Sequence, residues 1–442
     1  MPESAGDTPP EGQRVSKAMF KNAFWLLAGG ALALAGSFLV DLQEETAPPV
    51  PKDMNLEESL DALADAILDA GSFVRGHPWY GSEQEHAEAY RHIVRILVAS
   101  LEGKAMMDPD FPYFREINTR TKSGNDNPDQ RYLIATLRGE GTYRVWGTRG
   151  SSRRLDFTLY GEDDLSPSIS TLETDELHVD EDGRFEVLVG GPEKPRNWLA
   201  SRSGTVRLLV RQTHSDWKEE RPGQVHIDRI DSGRPLYPAL TGDVMAQRLT
   251  SATEQFAKSV RRWPEMSRTR IHAFLPANRL TAPRDTGGQG GLAGRLMVVG
   301  HYELSDDEAL IVTTWPSTAD YQGIQLGHHW WESLDYANRQ SSLTTDQARL
   351  SDDGAYHFVI SARDPGYYNW LDTEGFERGV ITLRYDGMPV PELPESQHPV
   401  ARWVRFDEIE QNMPAGAPRT EAGEREAAIA QRRRHVQERY GY

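Results

Sequence analysis

The sequence predicts a mainly β protein: tandem antiparallel, jelly-roll-like β-sandwich units with packed accessory helices and one N-terminal transmembrane helix. Three observations carry that prediction. They are an internal repeat, a switch of hydrophobic period from helical to two, and one uncharged apolar run near the N-terminus.

The repeat is the most informative. Residues 180–211 and 351–384 follow one plan. Each opens on an Asp-Gly turn (Asp182-Gly183, Asp353-Gly354) and runs through an apolar strand into a proline-bearing loop. Each then reaches Asn-Trp-Leu (Asn197-Trp198-Leu199, Asn369-Trp370-Leu371) and closes on an arginine (Arg211, Arg384). Asn follows Gly by 14 residues in the first copy and by 15 in the second. A match this long indicates one structural unit used twice.

Composition sets the outer bounds. A chain of 442 residues with 38% hydrophobic and 26% charged side chains has room for two or three domains and ample core. A net charge of −18 repels a phosphate backbone, so nucleic acid is excluded as a partner. There is no cysteine, which removes disulfides, thiolate catalysis and cysteine-ligated metal.

Residues 1–22 form a polar tail expected in the cytoplasm. Residues 23–40 hold 18 positions without a charge, long enough to cross a bilayer as a helix. Arg14, Lys17 and Lys21 precede the run and Asp41, Glu44 and Glu45 follow it, which places the tail inside and the body outside. Ala33-Leu34-Ala35 has the form of a cleavage site, but Phe38-Leu39-Val40 carry the apolar run past it. An anchor or uncleaved signal is therefore favoured over a cleaved one. The lipid bilayer is an expected partner through residues 23–40. The body is expected at the cell envelope, on the periplasmic or extracellular side of the cytoplasmic membrane.

Residues 41–54 read as an acidic, proline-containing linker. Residues 55–125 form a helical region. Asn55 with Glu58, and Ser82 with Glu85, have capping-box spacing. Leu56, Leu60, Leu63 and Ile67 make one stripe ended by Gly71; Tyr90, Val94, Leu97 and Leu101 make another stopped by Gly103. Residues 126–240 are the first β unit, where Phe185, Val187 and Val189 alternate with Glu186 and Leu188. Residues 241–285 connect the units through a helix with Met245, Leu249, Ala252, Phe256 and Val260 on one face. Residues 286–400 are the second β unit, and residues 401–442 a helical tail with a basic end, expected to be solvated. The Gly287–Gly294 loop lacks the Gly-Lys-Ser/Thr ending of a phosphate cradle. No Gly-x-Ser-x-Gly elbow and no His-Glu-x-x-His helix occur.

Three clusters carry chemically capable side chains. The Asn-Trp-Leu turns come first; a Trp there can stack on a sugar ring, but their duplication favours a structural job, with Asn bonding its own backbone in a turn while Trp plugs the open end of the sandwich. Gly327 to Glu332 (GHHWWE) is the densest. Read as a strand, it puts His328, Trp330 and Glu332 on one face and His329 and Trp331 on the other. A histidine and a carboxylate on one face can begin an acid/base or metal site. The adjacent histidines diverge, however, and nothing in the sequence places His301 nearby. Aromatics in the core with histidines at its edge are expected, with neither a metal nor a cofactor. Third, Asp126 and Asp129 pair two carboxylates ahead of Tyr132. Such a pair suits glycoside hydrolysis or calcium. The EF-hand spacing is absent, and a turn into the first strand is the simpler reading. Asp126, Asp129, Tyr132, His328, Trp330 and Glu332 are the candidate ligand-binding residues; no catalytic residue is assigned.

Residues 326–387 resemble the bacterial family known only as domain of unknown function 1214. The resemblance rests on Asp364-Pro365-Gly366, two tyrosines, Asn369-Trp370-Leu371-Asp372, Gly375 and the terminal Arg384. Asp126-Asn127-Pro128-Asp129 with Tyr132 and the arginine-rich last helix extend it over roughly residues 55–440. The resemblance implies a β-rich, jelly-roll fold and carries no activity or catalytic residues. The leading functional expectation is a ligand-binding or accessory envelope protein for a glycan, lipid or apolar small molecule. A carbohydrate-active hydrolase or lyase, and a homo-oligomeric scaffold, are the alternatives.

Overall fold

The computed structural model describes residues 47–233, 236–287, 291–292 and 294–441. The expected tail, the apolar run and the first part of the linker lie outside these residues, as does part of the Gly287–Gly294 loop. Among the described residues no helix is long and apolar enough to cross a membrane.

The protein is mainly β, with several sheets and a few helices. The first β unit runs β1 (Arg115–Ile117), β2 (Gln130–Arg138), β3 (Tyr143–Thr148), β4 (Arg154–Gly161), β5 (Ser168–Leu172), β6 (Arg184–Val189), β7 (Trp198–Leu199), β8 (Thr205–Thr213) and β9 (Val225–Arg229). These make two sheets, ordered β1-β2-β8-β4-β5 and β7-β6-β3-β9. Inward residues of both sheets, among them Leu133, Val145, Phe157, Val187 and Leu208, share one core. The alternation read in β6 is real: Phe185, Val187 and Val189 are buried and Glu186 is exposed.

The second unit runs β10 (Arg279–Leu280), β11 (Arg284–Asp285), β12 (Leu296–Glu303), β13 (Glu308–Thr314), β14 (Tyr321–His328), β15 (Glu332–Ser333), β16 (Ser342–Thr344), β17 (Tyr356–Ser361), β18 (Trp370–Asp372), β19 (Arg378–Asp386) and β20 (Val400–Arg405). Its sheets are ordered β10-β12-β19-β14-β15 and β18-β17-β13-β20, with β11 on β12 and β16 on β14. The orders β2-β8-β4 and β12-β19-β14 correspond, as do β7-β6-β3-β9 and β18-β17-β13-β20. Both units even repeat the same parallel pairing, β6 with β7 and β17 with β18. The repeat therefore extends to the topology. β20 falls within the segment expected as a helical tail.

Asn197 and Asn369 do one job in the two units. Asn197 closes on the backbone N–H and C=O of His178, and Asn369 on those of Arg349. The indole N–H of Trp198 donates to Gly190 O and that of Trp370 to Ser361 O, each at 3.1 Å. Asp-Gly turns stand at Gly183 and Gly354, both at positive φ, where glycine is the natural choice. Arg211 and Arg384 point away from the unit cores. Arg211 donates to Thr158 and Tyr160, and Arg384 to Gln325 and the Asn125 carbonyl.

Helix α1 (Leu56–Gly76) and α2 (Glu83–Ser100) start at the two capping boxes, both formed. α1 continues five residues beyond Gly71, since glycine in a helix weakens it without stopping it. α3 (Gly242–Ser267) is capped by Thr241. Ala70, Val74, Ile93, Ile96, Phe256, Val260 and Trp263 of these helices pack on Val299 of β12, Val380 of β19, Trp330 and Trp331. Each fully buried aliphatic or Phe side chain there contributes on the order of 1.5–3 kcal/mol. The helices thus cover the second β unit, although α1 and α2 precede the first. The α2 stripe differs from its expected one: Tyr90 and Val94 are exposed, whereas Ala89, His92, Ile93, Arg95 and Ile96 are buried.

The seam between the β units is polar. Tyr321 Oη donates to Asp129 Oδ2 at 2.7 Å, Gln130 Nε2 to Asp386 Oδ2 at 3.3 Å, and Arg154 Nη1 to Asp320 Oδ2 at 2.6 Å. After a short α4 (Ile409–Asn412), the last helix α5 (Glu424–Tyr440) inserts beside this seam. Its Arg432 and Arg439 lie over Trp217, 4.5 and 4.6 Å from the ring centre. Arg432 donates to the Tyr336 and Ser342 carbonyls and Arg439 to that of Pro128. Arg432 and Arg439 are thus buried rather than solvated, while Arg433 and Arg434 are exposed.

Candidate ligand pocket

The GHHWWE segment is a tight turn between β14 and β15, not a strand. Trp331 takes a left-handed φ of 64° and its N–H donates to the His328 carbonyl at 3.0 Å. Gly327 is required beside the turn, because a Cβ there would stand 2.7 Å from the Glu332 carbonyl oxygen. A strand is not possible here because the left-handed Trp331 reverses the chain and breaks the period of two. The turn still sets His328 and Glu332 opposite each other as cross-strand partners. All five residues from His328 to Glu332 are buried.

Glu332, 1% exposed, is the centre of an ionic cluster. His92 Nδ1 lies 2.7 Å from its Oε1, His328 Nε2 3.4 Å from its Oε2, and Arg95 bonds the same Oε2. Burial alone would raise the Glu332 carboxyl. Arg95, with His328 and His92, overrides that and holds it well below the usual carboxylate range. Glu88, His92 and Arg95 reach the cluster because spacings of four and seven share one face of α2. Glu88 Oε2 lies 3.5 Å from His328 Nε2.

A cavity of about 580 Å³ opens beside this cluster. It is lined by Glu88, Arg95 and His328, by Lys122 and Glu374, and by Arg433 and Val436 of α5. Lys122 Nζ donates to the Ser333 and Leu334 carbonyls at 2.9 and 2.6 Å. Burial lowers the Lys122 ammonium, opposed by Asp126. Burial raises Glu374, opposed by Lys122. The two groups are thus pushed in opposite senses within one pocket. Glu88 Oε2 and both ring nitrogens of His328 are buried and make no hydrogen bond within the protein.

Of the candidate residues, His328 lines the pocket and Glu332 lies directly behind it. Asp126 supports it from below: its carboxylate accepts from Ser333 N at 2.9 Å and Ser333 Oγ at 2.7 Å. Trp330 is packed among the helices, against His92 and His77. Asp129 and Tyr132 belong elsewhere. Asp129 serves the seam through Tyr321, and Tyr132 Oη accepts from Asn127 N at 3.1 Å. Sequence reading missed Glu88, Arg95, Lys122 and Glu374. The first two carried a signal in their spacing with His92; Lys122 and Glu374 carried none, being gathered only by the fold.

No family model matches the chain, and no curated protein matches it. Among solved structures, an uncharacterised protein from Burkholderia cenocepacia is similar at 27% identity, over 79% of this chain and 97% of that one, with a TM-score of 0.73. The VPA0106 protein from Vibrio parahaemolyticus is similar at 12% identity, over 78% of this chain and 100% of that one, with a TM-score of 0.42. Neither name states an activity.

Proposed function

We propose that the chain is a ligand-binding envelope protein whose pocket takes a small polyhydroxylated, oxygen-rich molecule such as a glycan fragment. One observation carries this reading. The wall of a cavity of about 580 Å³ is lined by polar side chains of both kinds, the acceptors Glu88, Asp335 and Glu374 and the donors Arg91, Arg95, Arg120 and Lys122. A sugar hydroxyl both donates and accepts, so one ligand class meets both needs. Cationic groups outnumber carboxylates around the opening, which also suits an acidic sugar. The volume falls among those of small-molecule sites, roughly 300–1,000 Å³. A lipid tail would leave these polar atoms unpaired, at a cost of about 1–3 kcal/mol each.

The jelly-roll description, the kinship with domain of unknown function 1214 and the envelope location belong to the same proposal. The first is supported by the duplicated strand order, the second by the Asp364–Gly375 motif, the third by the charge-flanked run 23–40. Calorimetry of the chain against neutral sugars, sugar acids and fatty acids tests the reading. Sugar binding that Glu88→Ala weakens at least tenfold is expected. Fatty-acid binding without sugar binding would overturn it.

A second reading, acid/base turnover of the same ligand, is favoured by the opposed shifts of Lys122 and Glu374. Product formation lost in both Lys122→Met and Glu374→Gln separates it from simple binding.

A further inference from the structure

Strand β12 carries His301 and Glu303 two residues apart, so both share the helix-facing side with Val299. The third member of the group, His272, ends a π-helical turn (Arg268–His272) that continues α3. Turns of this kind recur at functional sites. One ligand atom each from His272, His301 and Glu303 lie within 4.8 Å of one another. Tetrahedral ligands about 2.1 Å from a shared ion stand roughly 3.4 Å apart, so the group would have to close by up to roughly 1.4 Å around the ion.

The protonation pattern is already that of a ligand set. His301 Nε2 lies 2.7 Å from the Leu275 carbonyl, which can only accept, so in the neutral imidazole Nδ1 is the free lone pair. That Nδ1 and His272 Nε2 are buried without hydrogen-bond partners. The two rings stand 4.0 Å apart. His329, 3% exposed, lies against His272 at 4.5 Å and stacks on Trp79, with both ring nitrogens unpartnered. Buried polar atoms nearly always find partners. An imidazole cluster that does not is arranged for something else. Glu303 is exposed, which gives an entry path and leaves coordination positions open. The neighbouring Arg378 is neutralised by Glu85, at 2.6 and 3.0 Å.

We propose that His272, His301 and Glu303 bind one divalent first-row transition-metal ion. Two imidazoles and a carboxylate suit zinc, iron(II) or cobalt(II), and not magnesium or calcium, which take all-oxygen sets. The site is separate from the ligand pocket: His328 faces the pocket and its neighbour His329 faces this cluster.

The test uses the untagged full chain in detergent, stripped with a chelator, then titrated with zinc and cobalt(II). One ion per chain, a raised melting temperature and visible ligand-field bands of a low-coordinate cobalt site are expected. Glu303→Gln, at an exposed position, should leave the metal-free melt unchanged and weaken binding at least about tenfold. His301→Gln should abolish the cobalt bands. Absence of binding by a chain that melts cooperatively overturns the assignment. So does binding that neither variant changes.

Discussion

His328 and Glu332 face each other across the turn from β14 to β15, the imidazole Nε2 3.4 Å from a carboxylate that is almost wholly buried. The pair joins the sheet of the second β unit to α2, because Glu332 also binds His92 and Arg95.

Glu332→Gln removes the anion and leaves Arg95 buried beside a neutral amide. Breaking a buried pair from one side costs about 3–5 kcal/mol. Urea unfolding should show that loss. A change below about 1 kcal/mol would mean that solvent reaches the cluster.

Acid should weaken the fold well above the carboxylate range. Burial lowers His77 to about 4 and His435 to about 2, from 6.5. A histidine whose folded value is depressed binds its proton more readily when unfolded. Its contribution is whole above pH 6.5 and declines as pH falls towards the folded value. Between pH 7.5 and 5.5 each should cost about 1.4 kcal/mol. Urea melts at the two pH values check this, and His435→Gln should flatten the slope.

Trp370 and Trp198 are equivalent in the repeat but not in burial: Trp370 is buried and Trp198 only half-buried. Trp370→Ala should cost about 3–5 kcal/mol, and Trp198→Ala about half that. Equal thermal shifts would refute the difference.

Asp126→Ala should reshape the pocket without touching it. Its carboxylate fixes Ser333, whose carbonyl accepts from Lys122. Leaving the Ser333 N–H and hydroxyl unpaired costs about 1–3 kcal/mol. Sugar affinity should fall with stability, and the Ser333→Ala variant should reproduce part of both effects.

Much of the fold was legible because its signals are local. The Asp-Gly turns, the period of two and the Asn-Trp-Leu corners each act within about twenty residues, and each is where the repeat placed it. The site was legible in part. His328 and Glu332 stood out as a dense polar cluster, and their opposition survived the change from strand to turn. α2 was misread because apolar residues define a stripe only where the buried face is apolar. Here His92 and Arg95 are buried by an ion pair with Glu332, more than two hundred residues away. No local pattern announces such a partner. His272 was hidden for the same reason: only the continuation of α3 brings it to β12.

The order of elements along the chain is not their order in space. α1 and α2 stand before the first β unit and rest on the second. The connection between the units passes through Leu236, Tyr237 and Leu240, all exposed. A protease entering there cuts one covalent link and touches little of the packing, chiefly the contacts of Tyr237 with Phe111 and Arg248. The two pieces should remain associated under native conditions and part only in denaturant. Neither piece carries a complete interior: the early one lacks the sheet beneath its helices, and the later one keeps α3 but lacks α1 and α2 over that sheet. Expressed apart, each should be insoluble; expressed together, they should reassemble, as a divided protein whose halves were never domains.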